Sequence, residues 1–431
     1  MRHQEVEVLA IGAGPANLAL GIALEELAPK ELAAGTLIIE QHDDTVWQRG
    51  MLLPWTQSQV SFLKDLVTLR NPRSEFSFVN YLHSIGRLDE FINLGTFTPY
   101  RSEISGYLQW VASSLREVQV EYGRRCVSIE PGPSRGGEVD HWLARTADGA
   151  VISSRNLVIG AGRDAFVPAE LTALPERRVI HSTRYSHRIE ALDPGEVRRI
   201  VVIGGAQSAA ELLWAAYQRF PEAQCTMLMR SIGLNAYQTS KFTNELFYPS
   251  FIDDFYATRA ETRRQVLREM HVTNYAGLAP NMLETLYREM YQERLQGTER
   301  LRMLTLTDLA GARMDGDEVV LDTVDRKSGE RTELRCDVVL LGTGFVRDMP
   351  AMVRELAVTT GAGEATVDRN YRMRLPGSYT ANCYLQGVNE ATHGIADSLL
   401  SVLASRSQDI VTDLLARRGA ASDEALLAKA L

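Results

Sequence analysis

The chain has 431 residues, too many for one compact core, and suits two or three domains. A net charge of -9 argues against a nucleic-acid binder, which needs a basic face. Cys126, Cys225, Cys336 and Cys383 lie far apart and form no CxxC, so neither a zinc site nor a dithiol redox centre is signalled. No apolar run approaches the ~20 residues that span a bilayer. The opening MRHQEVEVLAIGAGP enters a strand with no signal-like region, and the expectation is a soluble, cytoplasmic protein.

In chain order, Val6–Ile11 reads as a short buried strand. It runs into Gly12-Ala-Gly14-Pro15-Ala-Asn17 and then the helical pattern LALGIALEEL. A second strand, Thr36–Ile39, stops at Glu40. Strand, glycine turn, helix, strand and acid make a βαβ unit. A loop-rich stretch follows, with helices expected near Phe76–Leu82 and Glu103–Leu115, then strands and turns up to Asn156–Gly162. Arg199–Ile203 opens a second βαβ unit through Gly204-Gly205-Ala206-Gln207-Ser208, and its next strand, Thr226–Met229, stops at Arg230. Residues 233–300 are polar, aromatic and helical, an insertion in character. Asp337–Phe345 is another strand with a glycine turn. A final helix is expected from near Asp397, and the tail past Arg418 reads as poorly ordered.

Two such units imply two bound nucleotides. Glycine permits the tight turn and the close approach of backbone to pyrophosphate. The helix that follows aims free N–H groups at the phosphates. Gly12, Gly14, Pro15 and Asn17 form the first turn, and Glu40, with Gln41 beside it, stands where ribose hydroxyls would be bound. Asn17 replaces the usual third glycine and is larger than helix–strand packing calls for, so a local change in the turn is expected. At the second turn, Gly204, Gln207 and Ser208 offer contacts to phosphate or ribose. The arginine at 230, in place of an acid, suits the 2′-phosphate of NADP; a solvated strand-end charge is the plain alternative.

The chain resembles the microbial N-hydroxylating flavoprotein monooxygenases, the ornithine N5- and lysine N6-monooxygenases of siderophore pathways. The markers, in order, are Gly12–Asn17, Trp47, Gly50-Met-Leu-Leu-Pro54, Gln59-Val-Ser-Phe-Leu-Lys64-Asp65, Arg70-Asn-Pro, Phe78–Leu82, Gly205–Glu211, Phe242-Thr-Asn244-Glu, Thr273-Asn274-Tyr275, Thr392-His-Gly394 and Asp397–Ser401. FLKDLVTLRNPRSEFSFVNYL followed by INLGTFTPYR is closer to the ornithine enzymes. The resemblance implies an α/β fold with two Rossmann-like dinucleotide-binding domains plus a small, mainly helical substrate-binding region. An FAD domain would span 1–165 and 341–415, an NADPH domain 166–232 and 300–340, and the substrate-binding insertion 233–299. It further implies that NADPH reduces FAD, that O2 then gives a C4a-hydroperoxyflavin, and that the amine of L-ornithine attacks its distal oxygen. A homotetramer is implied as well.

The same resemblance assigns residues. Lys64 binds the substrate carboxylate, with a salt bridge to Asp65 as the plain alternative, because a buried charge needs a partner. Asn244 holds the α-carbon groups, and Asn274 lies near the nicotinamide and the reacting amine. Without the family both asparagines would read as helix caps. Ser398 falls at the substrate and Asp397 at the cofactor. Trp47 and Gln59 line the flavin, although a buried tryptophan is more often core. His181-Ser-Thr-Arg-Tyr185 joins the two nucleotide domains, and His393 is structural. No metal is implied and no general base is assigned. A free amine has a pKa of about 10.4, so deprotonating it at pH 7 costs about 4.6 kcal/mol, much of which a dry pocket can supply.

The chain departs from the family pattern at Gln48, at Ala396, in Ala236–Phe242 and in LGTGF. Two of these lie at the substrate end and leave lysine, a diamine or a modified amino acid open as substrates. A flavin disulfide reductase would need a cysteine pair. A Baeyer–Villiger or sulfide-oxygenating enzyme would not need Lys64. A non-catalytic flavin-binding sensor would form no hydroxylamine.

Overall fold

The first strand, His3–Ile11, is buried over Val8–Ile11. It runs parallel both to Thr36–Ile39 and to Val151–Ile159. Fully buried apolar runs such as Val8–Ile11 and Thr36–Ile39 are what a sheet covered on both faces requires. The computed structural model describes residues 3–430 apart from 135, 238 and 239; the side chains of 272–274 and of 420–430 lie outside the description. The sheet has seven strands, ordered 119–121, 36–39, 3–11, 151–159, 142–146 and 126–131, with Asn382–Leu385 also paired to Val151–Ile159. The helix Pro15–Leu27 starts with proline at its first position, where a missing N–H removes no bond. It packs against the last helix, Leu403–Ala430.

A second, all-parallel sheet takes the order 301–304, 224–228, 199–203, 338–341 and 179–181. Its glycine turn leaves the central strand, Arg199–Ile203, at the C-terminal edge, where α/β sheets bind ligands. The expected pair of Rossmann-like layers is therefore present. The helical insertion is present too: Lys241–Asn244, Ser250–Ala257, Ala260–Asn274 and Pro280–Gln296.

Residues 300–340 hold two strands of this parallel layer, Leu301–Leu304 and Val338–Leu341. They also carry a three-stranded antiparallel meander, Thr307–Asp315, Glu318–Asp325 and Arg331–Cys336. The final helix begins at Leu403, not near Asp397. Residues Ile395–Ser398 and Leu400–Val402 form separate tight turns, because Asp397 is turned inward to an ion pair described below. The helix then runs through the tail to Ala430, where an irregular end was expected.

The two layers are joined by side-by-side chain crossings. Ala165 and Phe345 form an antiparallel bridge, with the Val346 amide donating to Asp164 at 2.8 Å. His181 sits at this joint. The Thr183 amide donates to its Nδ1, which leaves Nε2–H to donate to the Gly344 carbonyl at 3.1 Å. Burial holds its pKa below the ordinary value, as this neutral form requires.

Candidate active site

At the first turn Gly12 takes φ +91°, and a Cβ there would meet the Gly160 carbonyl at 3.0 Å. A side chain at Gly14 would meet nothing within 4 Å, so that face is open. The helix beginning at Pro15 has no side-chain cap, leaving its first turn able to receive an anion. Glu40 accepts from the Ala13 amide at 2.8 Å and from the His42 amide at 3.0 Å, which fixes its carboxylate beside the turn. Gln41 is exposed next to it.

Asn17 does not distort the turn as expected. It is fully buried, and its Nδ2 donates to the carbonyls of Ile11 and Gly12 at 2.9 and 2.8 Å. Room for it comes from the opposite strand, where a Cβ on Gly160 would stand 2.7 Å from Nδ2. The missing third glycine has in effect moved across to Gly160.

At the second turn Gly204 takes φ +141°, and a Cβ there would lie 2.4 Å from the Gly342 carbonyl. The helix Gln207–Arg219 also has no side-chain cap. Ser208 is half-buried at its start, and Arg230 is exposed at the end of the neighbouring strand. The Arg230 guanidinium is near enough to Asp308 to help, behind the larger effect of Arg326, in holding that carboxyl below its ordinary pKa. The Gln207 side chain is hydrogen-bonded within the protein. Its Nε2 donates to Glu211 at 2.8 Å and its Oε1 accepts from the Ala279 amide at 2.8 Å. Its amide ties the turn to the insertion.

The residues expected at the substrate end come from three separate pieces of chain. Lys64 closes the turn Phe62–Lys64 and is half-buried. Asp65 is not its partner. That carboxylate accepts from the amides of Val67, Thr68 and Phe78 and from the Thr68 hydroxyl. Among the described residues Lys64 has no acidic partner; its Nζ lies 4.3 Å from the centre of the Tyr248 ring. Burial lowers its pKa from the ordinary 10.5. Tyr248 follows Asn244 by one helical turn. Asn244 is half-buried and makes no side-chain capping bond, so the cap reading does not account for it.

The turn after Asn244 packs on Ile395–Ser398 through Phe247, Ile252 and Ala396. There Ser398 donates to Glu390 at 3.0 Å, and Tyr275, which follows Asn274, contacts both Ser398 at 2.9 Å and Glu390. Burial raises the pKa of Glu390. Asn274 ends the helix beside them; its side chain lies outside the described residues.

A family model described as L-lysine 6-monooxygenase/L-ornithine 5-monooxygenase matches residues 4–347. An L-ornithine N(5)-oxygenase of Arthrobotrys oligospora is 37% identical over 95% of this chain and 88% of its own length. An L-ornithine N(5)-monooxygenase of Pseudomonas aeruginosa is 37% identical over 94% of this chain and 92% of its own. The chain belongs to this family. The family's solved ornithine hydroxylase from Pseudomonas aeruginosa superposes with a TM-score of 0.89 at 35% identity, covering 96% of this chain and 99% of that one. The ornithine N-hydroxylase of Kutzneria sp. 744, whose structure holds reduced FAD, NADP+ and L-ornithine, gives 0.89 at 34% identity over 96% and 100%.

Both nucleotides of the family, FAD and NADPH, fit the two turns: each turn offers an uncapped helix start and a positive-φ glycine, and the first has an open face at Gly14. Trp47 is half-buried, with its amide on Ser105 Oγ at 3.1 Å and its ring against the core of the first layer. Gln59 is exposed on the loop before Lys64. Asp397, expected at the cofactor, makes its contacts within the protein. It is 1% exposed; Oδ1 pairs with Arg406 at 3.0 Å and Oδ2 accepts from the Asn389 amide at 2.7 Å. Arg406 also holds Gln386, which donates to Asn17 Oδ1 at 2.7 Å. Asp397 therefore braces the first turn from behind. His393 stacks on Tyr371 at 4.0 Å and bonds the Arg369 carbonyl, a structural role.

Sequence reading missed Arg101 and Glu390. Arg101 pairs with Glu211 through two contacts of 2.7 and 2.6 Å, both side chains buried. Glu211 stands in the second-turn motif, so an unexplained acid inside that apolar helix was the available signal.

Proposed function

We propose that this enzyme places a hydroxyl group on the side-chain amine of L-ornithine, with FAD and NADPH as cofactors and O2 as oxidant. The products are the hydroxylamine, NADP+ and water. The observation that carries the choice of an amino acid is Lys64: a half-buried ammonium with no acidic partner among the described residues, facing a wall supplied by the insertion.

Bound FAD supplies oxygen activation, and the chain's own residues supply the rest. Lys64 takes the carboxylate as a charge-assisted hydrogen bond. Asn244 stands on the same wall for the α-carbon groups, and Asn274 with the Tyr275–Ser398–Glu390 cluster frames the amine end. The burial that lowers the pKa of Lys64 acts likewise on the substrate amine and favours its neutral, nucleophilic form. Arg230 receives the 2′-phosphate that separates NADPH from NADH. Among the described residues no helix is long and apolar enough to cross a membrane; a cytoplasmic homotetramer completes the proposal.

The test is a panel of ornithine, lysine, putrescine, cadaverine and arginine, with hydroxylamine measured alongside NADPH loss. Ornithine is expected to give the highest kcat/KM. NADPH oxidation that no amine stimulates, with no hydroxylamine formed, would overturn the assignment.

A further inference from the structure

The contact between Lys64 and Tyr248 joins parts of the chain with no sequence proximity. Lys64 comes from a tight turn beside the first nucleotide layer; Tyr248 comes from the insertion, just after the short helical run that carries Asn244. The ammonium lies 4.3 Å from the ring centre, well inside the range of a cation–π contact. Tyr248 itself is 40% exposed, so its ring is open to solvent and not part of the core.

An aromatic ring suits this position for a chemical reason. A carboxylate there would pair with Lys64 and compete with an incoming anion. An aliphatic side chain would desolvate the ammonium and return nothing. The ring face attracts the ammonium through its quadrupole while leaving the donors on the far side free. Asp65, the nearest acid in sequence, is held away by four hydrogen bonds.

We propose that Tyr248 is a positioning and specificity residue: its ring holds Lys64 charged but unpaired, and so tunes the site for amines that carry a free carboxylate over simple diamines. This rests on the ornithine reading above and adds to it a residue that the sequence motifs did not single out.

The experiment compares wild type with Tyr248→Phe, Tyr248→Leu and Tyr248→Ala, on ornithine and on putrescine, by hydroxylamine formation. The bound-flavin absorbance of each purified variant reports folding. Tyr248→Phe keeps the ring and is expected to keep the ornithine KM within about twofold. Tyr248→Leu keeps bulk without the ring face and, like Tyr248→Ala, is expected to raise that KM about tenfold with kcat little changed. The kcat/KM for putrescine is expected not to fall, so the preference for ornithine narrows about tenfold. An ornithine KM within twofold of wild type in Tyr248→Leu and Tyr248→Ala would overturn the proposal. So would equal losses on ornithine and putrescine. A wild type that hydroxylates neither amine would instead sink the functional assignment on which the proposal stands.

Discussion

Arg101 and Glu211 form a bidentate, buried ion pair that crosses from the helix at Arg101–Ser114 to the helix that opens the second nucleotide turn. Glu211 also accepts from Gln207, and Gln207 in turn accepts from Ala279 in the insertion. One chain of polar contacts thus connects both nucleotide layers and the insertion.

Removing one member strands a charge in the interior. Arg101→Ala is expected to destabilise the protein by about 3–5 kcal/mol, because Glu211 is left buried and unpaired. Replacing both residues with methionine is expected to recover most of that loss, since well-packed apolar pairs often match a buried ion pair. Thermal denaturation followed by circular dichroism checks both. A single variant that melts with the wild type would show that the pair does not hold the layers together.

Asn17 and Gly160 make a second coupled pair. Gly160→Ala brings a Cβ to 2.7 Å from Asn17 Nδ2 and should displace the side chain that fastens the first turn. The expected result is loss of tightly bound flavin, measured as the FAD-to-protein ratio after gel filtration. In an Asn17→Gly background the same change at 160 should do less harm, because the clash is gone. Additive effects of the two substitutions would refute the coupling.

How much of this was legible follows from where the determining contacts lie. Thr36–Ile39 and Arg199–Ile203 could be read directly, since buried parallel strands are short apolar runs ended by a glycine turn or a charge. The meander at 307–336 was not, because half-exposed antiparallel strands with mixed faces resemble loops in a single sequence. Gln207 and Asp397 were expected at the nucleotides because their motifs border the turns. Their partners within the protein, Glu211 with the Ala279 amide and Arg406 with the Asn389 amide, are set by tertiary packing and could not be read from those motifs. Lys64 could be singled out from its apolar neighbours, but the ring that faces it comes from the distant insertion.

Lys64→Ala should separate the two ends of the substrate. A hydrogen bond to a charged group contributes about 1.5–3 kcal/mol, so the KM for ornithine is expected to rise about 10- to 150-fold. Putrescine has no carboxylate and should be hydroxylated by the variant as by wild type. Steady-state hydroxylamine assays on both substrates decide this. Equal losses would mean that Lys64 supports the fold of the pocket and not the carboxylate.

The pH dependence tests the same anchor from the other side. Burial lowers the pKa of Lys64 from 10.5, so its ammonium is lost at a pH below the ordinary lysine value. Carboxylate binding needs that ammonium; the ornithine KM should therefore climb on the alkaline side, starting below pH 10.5. In Lys64→Ala this climb should vanish. The substrate amine moves in the same direction and for the same reason, so kcat should rise with an apparent pKa well below the ~10.4 of the free amine and then level off. The two effects oppose each other in kcat/KM and give a bell-shaped profile. A kcat still climbing at pH 10 would show that the pocket leaves the amine as solvated as it is in water. The burial seen at Lys64 would then not extend to the reacting nitrogen.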